Sequence, residues 1–515
     1  MKRPKFIFIT GGVCSSLGKG LTAASIASLL EARGLKVGLQ KVDPYLNVDP
    51  GTMSPFQHGE VFVLDDGSEC DLDLGHYERF TNLRLSKESS FSAGKVYKTV
   101  IDNERKGNYL GQTVQVVPHI TNEIKKRMIA EAMKVDVLIC EIGGTVGDIE
   151  SLPFIESLRQ LRHSYDQSDV FNIHLTLIPY LAAAEELKTK PTQHSVQKLR
   201  EIGIQPEMLV CRSERPLTQE LKSKLSLFCN MKEDFIIEEQ DAQVSIYEVP
   251  ITLSKQDVDH KIINSLDLQQ RFPPTDLNNE HLVNWQRIVN IIGNADKVVE
   301  IAVVGKYTNL QDSYKSIYEA ITHGAVGNEI RIKIREIKAE LLLTHSHAAH
   351  EMLDGIDGMV VPGGFGERGI EGKVKAIQYA RENKIPFLGI CLGMQVAAVE
   401  FARNVIGLEN ASSREADGKC NHNIIDLLPG QDPFFYKGGT MRLGAKDLYM
   451  TPGKAQTAYN KVTISERHRH RYCFNRIDYE QQFSHAGFRI TGHSNEGLTE
   501  IIALHYSLTF TFFNL

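Results

Sequence analysis

The run Thr10-Gly11-Gly12-Val13-Cys14-Ser15-Ser16-Leu17-Gly18-Lys19-Gly20 combines glycines, hydroxyls and a lysine where an apolar stretch gives way to a helical pattern. Glycines let backbone N–H groups curl around phosphate oxygens, a helix N-terminus adds its dipole, and the lysine supplies a point charge. The spacing departs from G-x-x-x-x-G-K-[ST]. The first glycine is one position early, and Gly20 stands where Ser or Thr would hold Mg²⁺. Taken alone, the run reads either as a nucleotide cradle or as an ordinary strand-to-helix turn. If it is a cradle, its metal ligands lie elsewhere. Glu141 closes the apolar run from Val135 and is placed like the Mg²⁺-holding acid of P-loop proteins, although strand-end acids are also commonly solvated or capping. Asp71-Leu72-Asp73 offers two carboxylates on one face of an extended segment. Lys41 to Asn47, and Lys188-Thr189-Lys190-Pro191-Thr192-Gln193-His194, crowd lysines among hydrogen-bonding side chains. That composition suits an exposed loop or a triphosphate substrate.

A second kind of chemistry is spelled by Gly389-Ile390-Cys391-Leu392-Gly393, a G-x-C-x-G turn between an apolar strand and a helical pattern. Such an elbow exposes a nucleophile on tight backbone, and the following helix N-terminus favours thiolate. Most cysteines are inert core residues, but this context makes Cys391 a candidate nucleophile. Pro362-Gly363-Gly364-Phe365-Gly366 can offer backbone N–H groups to an oxyanion.

Positioning these residues takes a doubly covered parallel sheet. Strands are expected at Phe6 to Thr10, Val37 to Val42, Val135 to Glu141, Ile173 to Pro179 and Met208 to Arg212. The intervening helical patterns include one from Lys19 that Gly34 should stop. Residues 268–298, with Pro273-Pro274 and the sole tryptophan Trp285, read as a linker carrying a helix. A second α/β series follows, with strands expected at Val298 to Gly305, Ile330 to Ile334, Gly358 to Pro362 and Pro386 to Ile390. The expected domains are therefore 1–267, a linker 268–298, and 299–515. Over 515 residues the chain is 42% hydrophobic and 24% charged, an ordinary globular mix that excludes wholesale disorder. A net charge of −6 argues against a nucleic-acid coat or a polybasic membrane binder, so anionic ligands must be met by local positive sites. No apolar stretch approaches the ~18 residues of a membrane span, and the start does not read as a signal peptide. The eight cysteines include no C-x-x-C pair, which fits a reducing, cytoplasmic setting.

The phosphate loop together with the cysteine elbow resembles the CTP synthase family, the glutamine-dependent amidoligases of pyrimidine nucleotide synthesis. The matching segments include Ser15 to Gly20, Asp49-Pro50-Gly51-Thr52-Met53-Ser54-Pro55 and Asp71 to Phe80. They continue through Glu141 to Glu150, Lys188 to His194 and Glu466-Arg467-His468-Arg469-His470-Arg471-Tyr472. The resemblance spans about residues 5–505. It implies a P-loop-type synthetase domain joined to a class I glutamine amidotransferase domain. The first would use ATP to phosphorylate O4 of UTP, and ammonia would displace the phosphate to give CTP. The second would release that ammonia from glutamine through a Cys391 thioester. By the same resemblance, Ser16, Leu17, Gly18, Lys19, Gly20, Leu21 and Asp73 would bind ATP, and Asp73 and Glu141 would hold Mg²⁺. Lys19 and Lys41 would neutralise charge during phosphoryl transfer. Ser15, Asp148, Ile149, Glu150, Lys188, Thr189, Lys190, Pro191, Thr192, Gln193 and Lys224 would bind UTP or inhibitory CTP. Gly364, Leu392, Gly393, Met394, Gln395, Glu415 and Arg471 would bind glutamine. A homotetramer activated by GTP is implied as well.

The chain departs from the family at its end. Class I amidotransferases complete their triad with His-Pro-Glu, where the His activates the thiol and the Glu orients the His. This sequence holds no H-P-E. After His505 it runs Tyr506-Ser507-Leu508-Thr509-Phe510-Thr511-Phe512-Phe513-Asn514-Leu515, so the last family strand and the following helix are expected to be missing. His505 lies upstream of the catalytic position, and His468 and His470 belong to another motif. Impaired glutaminase activity follows. A chain serving as an amidotransferase-dead regulatory or assembly subunit is the alternative. A related amidoligase acting on cobyrinate- or dethiobiotin-type substrates is disfavoured by the Asp148 to Glu150 and Lys188 to His194 segments.

Overall fold

The computed structural model describes residues 3–269, 279–308, 310–431, 438–504 and 510–513, and the chain divides into two compact units. The first comprises Met1–Pro50 and Asp73–Gly293, the second Gly51–Leu72 and Asn294–Leu515. Among the described residues no helix is long and apolar enough to cross a membrane.

The first unit is built on a seven-stranded, all-parallel sheet. From edge to edge its strands are Ile236–Gln240, Met208–Ser213, Val170–Leu177, Phe6–Gly11, Val137–Ile142, Val37–Asp43 and Ser90–Ser92. Phe6–Gly11 and Val137–Ile142 are buried at every position, as expected of central strands covered on both faces. Phe6, Phe8, Leu138 and Cys140 pack with Ile124, Met128, Phe154 and Leu158 from the covering helices. The helix Lys19–Ala32 starts after Gly18, whose φ of 92° is a left-handed turn open to glycine. It stops before Gly34, as the pattern predicts.

The expected linker is reassigned in part. Residues 270–278 lie outside the described residues, but the helix Asn279–Asn294 belongs to the first unit as far as Gly293. Trp285 stacks on Phe80 and Tyr247 with centroids 5.3 and 5.5 Å away, and His281 hydrogen-bonds Ser28 at 3.0 Å. An amphipathic helix between two turn-rich stretches looks like a spacer in sequence. The aromatic partners that anchor it come from distant segments.

The second unit holds a nine-stranded mixed sheet. Its parallel half runs Arg331–Lys338, Val298–Gly305, Gly358–Val361, Phe387–Ile390 and Phe510–Phe513. The antiparallel half continues through Thr499–Leu504, Phe488–Ser494, Arg442–Met450 and Thr463–His470. The expectation that the last strand is missing is thereby corrected: Phe510–Phe513 pairs in parallel with Phe387–Ile390. Its alternation of threonine and phenylalanine suits a pleated strand whatever its origin.

Residues 51–72 join this unit through a hydrogen bond and two charge pairs. Glu60 accepts from Ser316 N at 2.9 Å, Asp65 pairs with Arg467 at 2.6 Å, and Glu69 pairs with Arg469 at 2.8 Å. This placement splits the Asp71-Leu72-Asp73 carboxylates. Asp71 faces His58 Nε2 at 3.6 Å in the second unit, whereas Asp73 opens the helix Asp73–Phe80 in the first. The two acids therefore do not share a face, because the extended segment ends between them.

Candidate active sites

In the first unit two strand ends and the start of the helix Asp73–Phe80 deliver four ionisable groups to one point. Lys41 lies on the strand Val37–Asp43 beside Glu141 of Val137–Ile142, with which it is in register. Its ammonium sits 3.0 Å from Glu141 Oε1, 3.6 Å from Asp43 Oδ1 and in hydrogen-bond contact with Asp73 Oδ2. Tyr77, one turn along the helix from Asp73, donates to Glu141 Oε2 at 2.5 Å. Burial and the neighbouring Asp73 push the Glu141 carboxyl up. Burial pushes Asp73 up too, but Lys41 and His76 outweigh it and leave Asp73 below the usual carboxylate range. Lys19 Nζ donates to Gly144 O at 2.7 Å, and burial lowers its pKa against the pull of Glu141.

The glycines of the loop are required by space. A Cβ at Gly20 would lie 2.2 Å from Asp73 Oδ1, and one at Gly11 would lie 2.7 Å from Lys19 Cδ. Gly20 thus replaces the usual Ser or Thr because the Asp73 carboxylate fills that space. Ser15 and Ser16 are exposed at the loop tip, and Leu17 is buried with its carbonyl held by Arg212 NH1 at 2.8 Å.

Beyond the loop, a cavity of about 580 Å³ is lined by Lys188, Thr189, Lys190, Gln193 and Lys224, together with Arg215. The structure thus gathers five of the expected pyrimidine-nucleotide residues on one wall. Ser15, Asp148, Ile149 and Glu150 do not line it, and the last three are exposed around a short turn at Ile149–Ser151. Thr192 is fully buried, with its hydroxyl bonded to Leu177 O at 3.0 Å, so it serves the fold of this wall. Pro191 sits in the first turn of the helix Lys190–Glu201.

In the second unit Cys391 joins the strand Phe387–Ile390 to the helix Leu392–Phe401 at φ 52°, ψ −111°. Positive φ at a non-glycine residue is the strained geometry of a nucleophile elbow. A Cβ at Gly393 would lie 1.9 Å from Val361 O, and one at Gly389 would lie 2.8 Å from the Gly393 backbone. Gly363 approaches Cys391, since its added Cβ would be 3.5 Å from the cysteine Cβ. The expected thiolate is not favoured here. Burial pushes the thiol up to about 11, although the Leu392 N–H stabilises the anion. Cys391 Sγ meets Arg469 O at 3.8 Å, and among the described residues no imidazole is a hydrogen-bond partner of the thiol.

Of the expected glutamine residues, Glu415 accepts from Gly366 N at 2.7 Å, so that amide of the proposed oxyanion stretch is already committed. Arg471 bonds Gln431 and Thr440, and Gln395 donates to Tyr472 O at 3.3 Å. The side chains of Leu392 and Met394 are buried in the core. Gly364 abuts Lys306, whose Nζ donates to Phe365 O at 2.5 Å and Gly366 O at 2.9 Å. Lys373, fully buried, donates to Pro362 O at 3.0 Å, and burial lowers it to about 7. His505 falls outside the described residues. His468 and His470 are occupied elsewhere. Their Nδ1 atoms each lie 2.9 Å from a backbone carbonyl, and Arg442 NH1 sits 3.1 Å from His470 and 2.9 Å from Glu500.

Residues 5–268 match the family model described as CTP synthase N-terminus, and residues 309–512 match glutamine amidotransferase class-I. A CTP synthase of Trichlorobacter lovleyi is 54% identical over 505 residues, covering 98% of this chain and 92% of the relative. One of Syntrophus aciditrophicus is 53% identical over 504 residues, with the same coverage. The chain belongs to the CTP synthase family. A solved glutaminase domain of Trypanosoma brucei CTPS with bound acivicin shares 33% identity at a TM-score of 0.39, covering 42% of this chain and 85% of that one.

Like other CTP synthase family members, the chain carries a parallel-sheet synthetase domain and a class I glutamine amidotransferase domain. Residue-by-residue reading missed several groups around these sites. Tyr77 stands within the Asp71 to Phe80 segment, Lys306 directly follows the Gly305 strand end, and both could have been found from those places. Arg212, which holds the loop at Leu17 and pairs with Asp241 at 2.8 Å, carries no local signal.

Proposed function

We propose that this chain makes CTP from UTP, ATP and ammonia at the Lys19–Lys41–Asp73–Glu141 cluster. The observation that carries the reading is one buried lysine, Lys41, bridging two carboxylates beside a loop lysine at a helix N-terminus. Phosphoryl transfer needs charge neutralisation and in-line positioning more than covalent help. The donor set also fits Mg²⁺: Lys41 holds two carboxylates together, burial and then the neighbouring Asp73 raise Glu141, and hard cations prefer such oxygens. Asp73 and Glu141 would hold the ion, which when bound neutralises phosphate charge. Lys19 and Lys41 would bind the transferring phosphoryl group's oxygens. UTP would lie against Lys188, Thr189, Lys190, Gln193 and Lys224.

The glutaminase half is proposed to be impaired within residues 1–515. Phe510–Phe513 runs parallel to Phe387–Ile390 with Phe513 opposite Ile390, next to the nucleophile. The stretch Tyr506 to Leu515, where the family resemblance places the His-Pro-Glu motif, holds no histidine. Losing a general acid–base typically lowers rates about 10²–10⁴-fold. The family resemblance supports a cytoplasmic homotetramer activated by GTP. The deciding experiment is a paired assay with ATP, UTP and Mg²⁺, using either ammonium or glutamine as nitrogen donor. CTP from ammonium alone is expected, and Lys19→Ala should lower it by about 10³-fold or more. Comparable rates with glutamine would refute the impairment. No CTP from either donor would favour a regulatory or assembly subunit.

A further inference from the structure

A buried chain of three side chains joins the phosphate loop to the helix Lys190–Glu201. Thr10 Oγ1 lies 2.9 Å from His174 Nδ1, and His174 Nε2 lies 2.9 Å from Ser195 Oγ. Thr10 and His174 have no exposed surface, and Ser195 is buried as well. Asn172 Nδ2 donates to Thr10 Oγ1 at 3.3 Å, and the Thr10 hydroxyl reaches Ile173 O at the same distance. Burial lowers the His174 imidazole to about 3, with Lys19 adding to the effect, so the ring is neutral at physiological pH. A neutral imidazole carries one N–H and one lone pair. It therefore donates at one nitrogen, accepts at the other, and grips both neighbours.

The far end of this chain presses on the loop itself. A Cβ at Gly12 would fall 1.5 Å from Ser195 Oγ and 3.0 Å from His174 Nε2. Ser195 also shares its helix with Lys190 and Gln193, which line the 580 Å³ cavity. The ring thus spans from the strand that leads into the phosphate loop to the helix that carries Lys190 of that cavity.

We propose that His174 is a positioning residue for phosphoryl transfer, setting through Thr10 and Ser195 the distance between the phosphate loop and the helix Lys190–Glu201. The proposal rests on the synthetase reading above. Near-attack geometry is unforgiving, and a shift of roughly 1 Å lowers rates by about 10²-fold.

Ser195→Ala removes the hydroxyl without adding bulk. In ammonium-dependent CTP synthesis its kcat should fall roughly 10–10²-fold, with KM for ATP changed by less than about twofold. His174→Asn should fall similarly, and the double variant should lose no more than the worse single one, as expected of groups acting as a unit. The ratio of wild-type to variant rates should stay flat from about pH 6 to 9, because a neutral ring does not titrate there. Unchanged kcat in a folded Ser195→Ala would overturn the proposal. So would a rise in KM alone, a loss matched by a proportionate fall in melting temperature, or a sloping pH ratio. If His174→Asn does not fold, Ser195→Ala decides. The unmodified protein separates the two failures: no CTP there refutes the synthetase reading and this proposal with it, whereas normal wild-type turnover with an unaffected Ser195→Ala refutes the positioning role alone.

Discussion

Gly20→Ser would restore the pattern usual in nucleotide-binding loops, yet here it should lower activity by about 10²-fold. An added Cβ would lie 2.2 Å from Asp73 Oδ1, 2.7 Å from its Cγ and 3.1 Å from its Cβ. Ordinary contact requires about 3.5 Å, so the carboxylate must retreat by roughly 1 Å. That motion pulls Asp73 from Lys41 and opens the pair of acids that would hold Mg²⁺. A misplacement of this size lowers turnover by about 10²-fold. Stability moves differently. Relieving the overlap costs about 1–3 kcal/mol, and replacing a helical glycine returns up to about 1 kcal/mol. The melting temperature should therefore fall only modestly while ammonium-dependent CTP formation collapses. Gly20→Ala is the companion variant, since it has the clash without a new hydroxyl. The assay is steady-state CTP production across a Mg²⁺ titration, beside a thermal melt. If either variant keeps kcat within about twofold of wild type, Asp73 is not fixed where the chemistry needs it, and the reasoning fails.

Glu141→Gln should raise the Mg²⁺ concentration needed for half-maximal rate by at least about tenfold, since an amide is a poorer ligand for a hard cation. An unchanged titration curve would return Glu141 to a structural role. Cys391 should react with a glutamine-like electrophile more slowly than an exposed thiol at pH 7. Because burial holds the thiol up at about 11, its rate should climb roughly tenfold per pH unit from 7 toward 10. A plateau below pH 9, read by mass spectrometry of the alkylated peptide, would mean that a base or cation unlike those described lowers it.

The chemistry of this chain was legible where neighbouring residues specify it. The loop through Lys19, the strand-end Glu141 and the Cys391 elbow are each a strand, a turn and a helix in immediate succession, so their geometry follows from local pattern. What stayed hidden depends on contacts between distant segments. Asp71 and Asp73 are two residues apart but fall in different units. The helix around Trp285 looks like a spacer until Phe80 and Tyr247 close on it. The raised thiol of Cys391 is not legible either, because a helix N-terminus is visible in sequence and the surrounding burial is not. The strand Phe510–Phe513 is not legible to motif matching, which weighs residue identity, whereas the slot between Phe387–Ile390 and Thr499–Leu504 accepts any segment with suitable alternation.

Residues 51–72 leave the first unit, and their acids Asp65 and Glu69 find partners about 400 positions later, at Arg467 and Arg469. On a ribosome this separates two events in time. The strands flanking the excursion can pair as soon as the first unit has emerged, because setting Asp43 opposite Ser92 closes a single loop, and closure entropy grows slowly with length. Asp65 and Glu69, by contrast, wait in water until Arg467 and Arg469 are synthesised. The Lys41–Asp73 contact can thus form during translation, while the excursion remains open to proteases and to premature pairing. A chain arrested before residue 460 should then protect the first unit from limited proteolysis and be cut within 51–72.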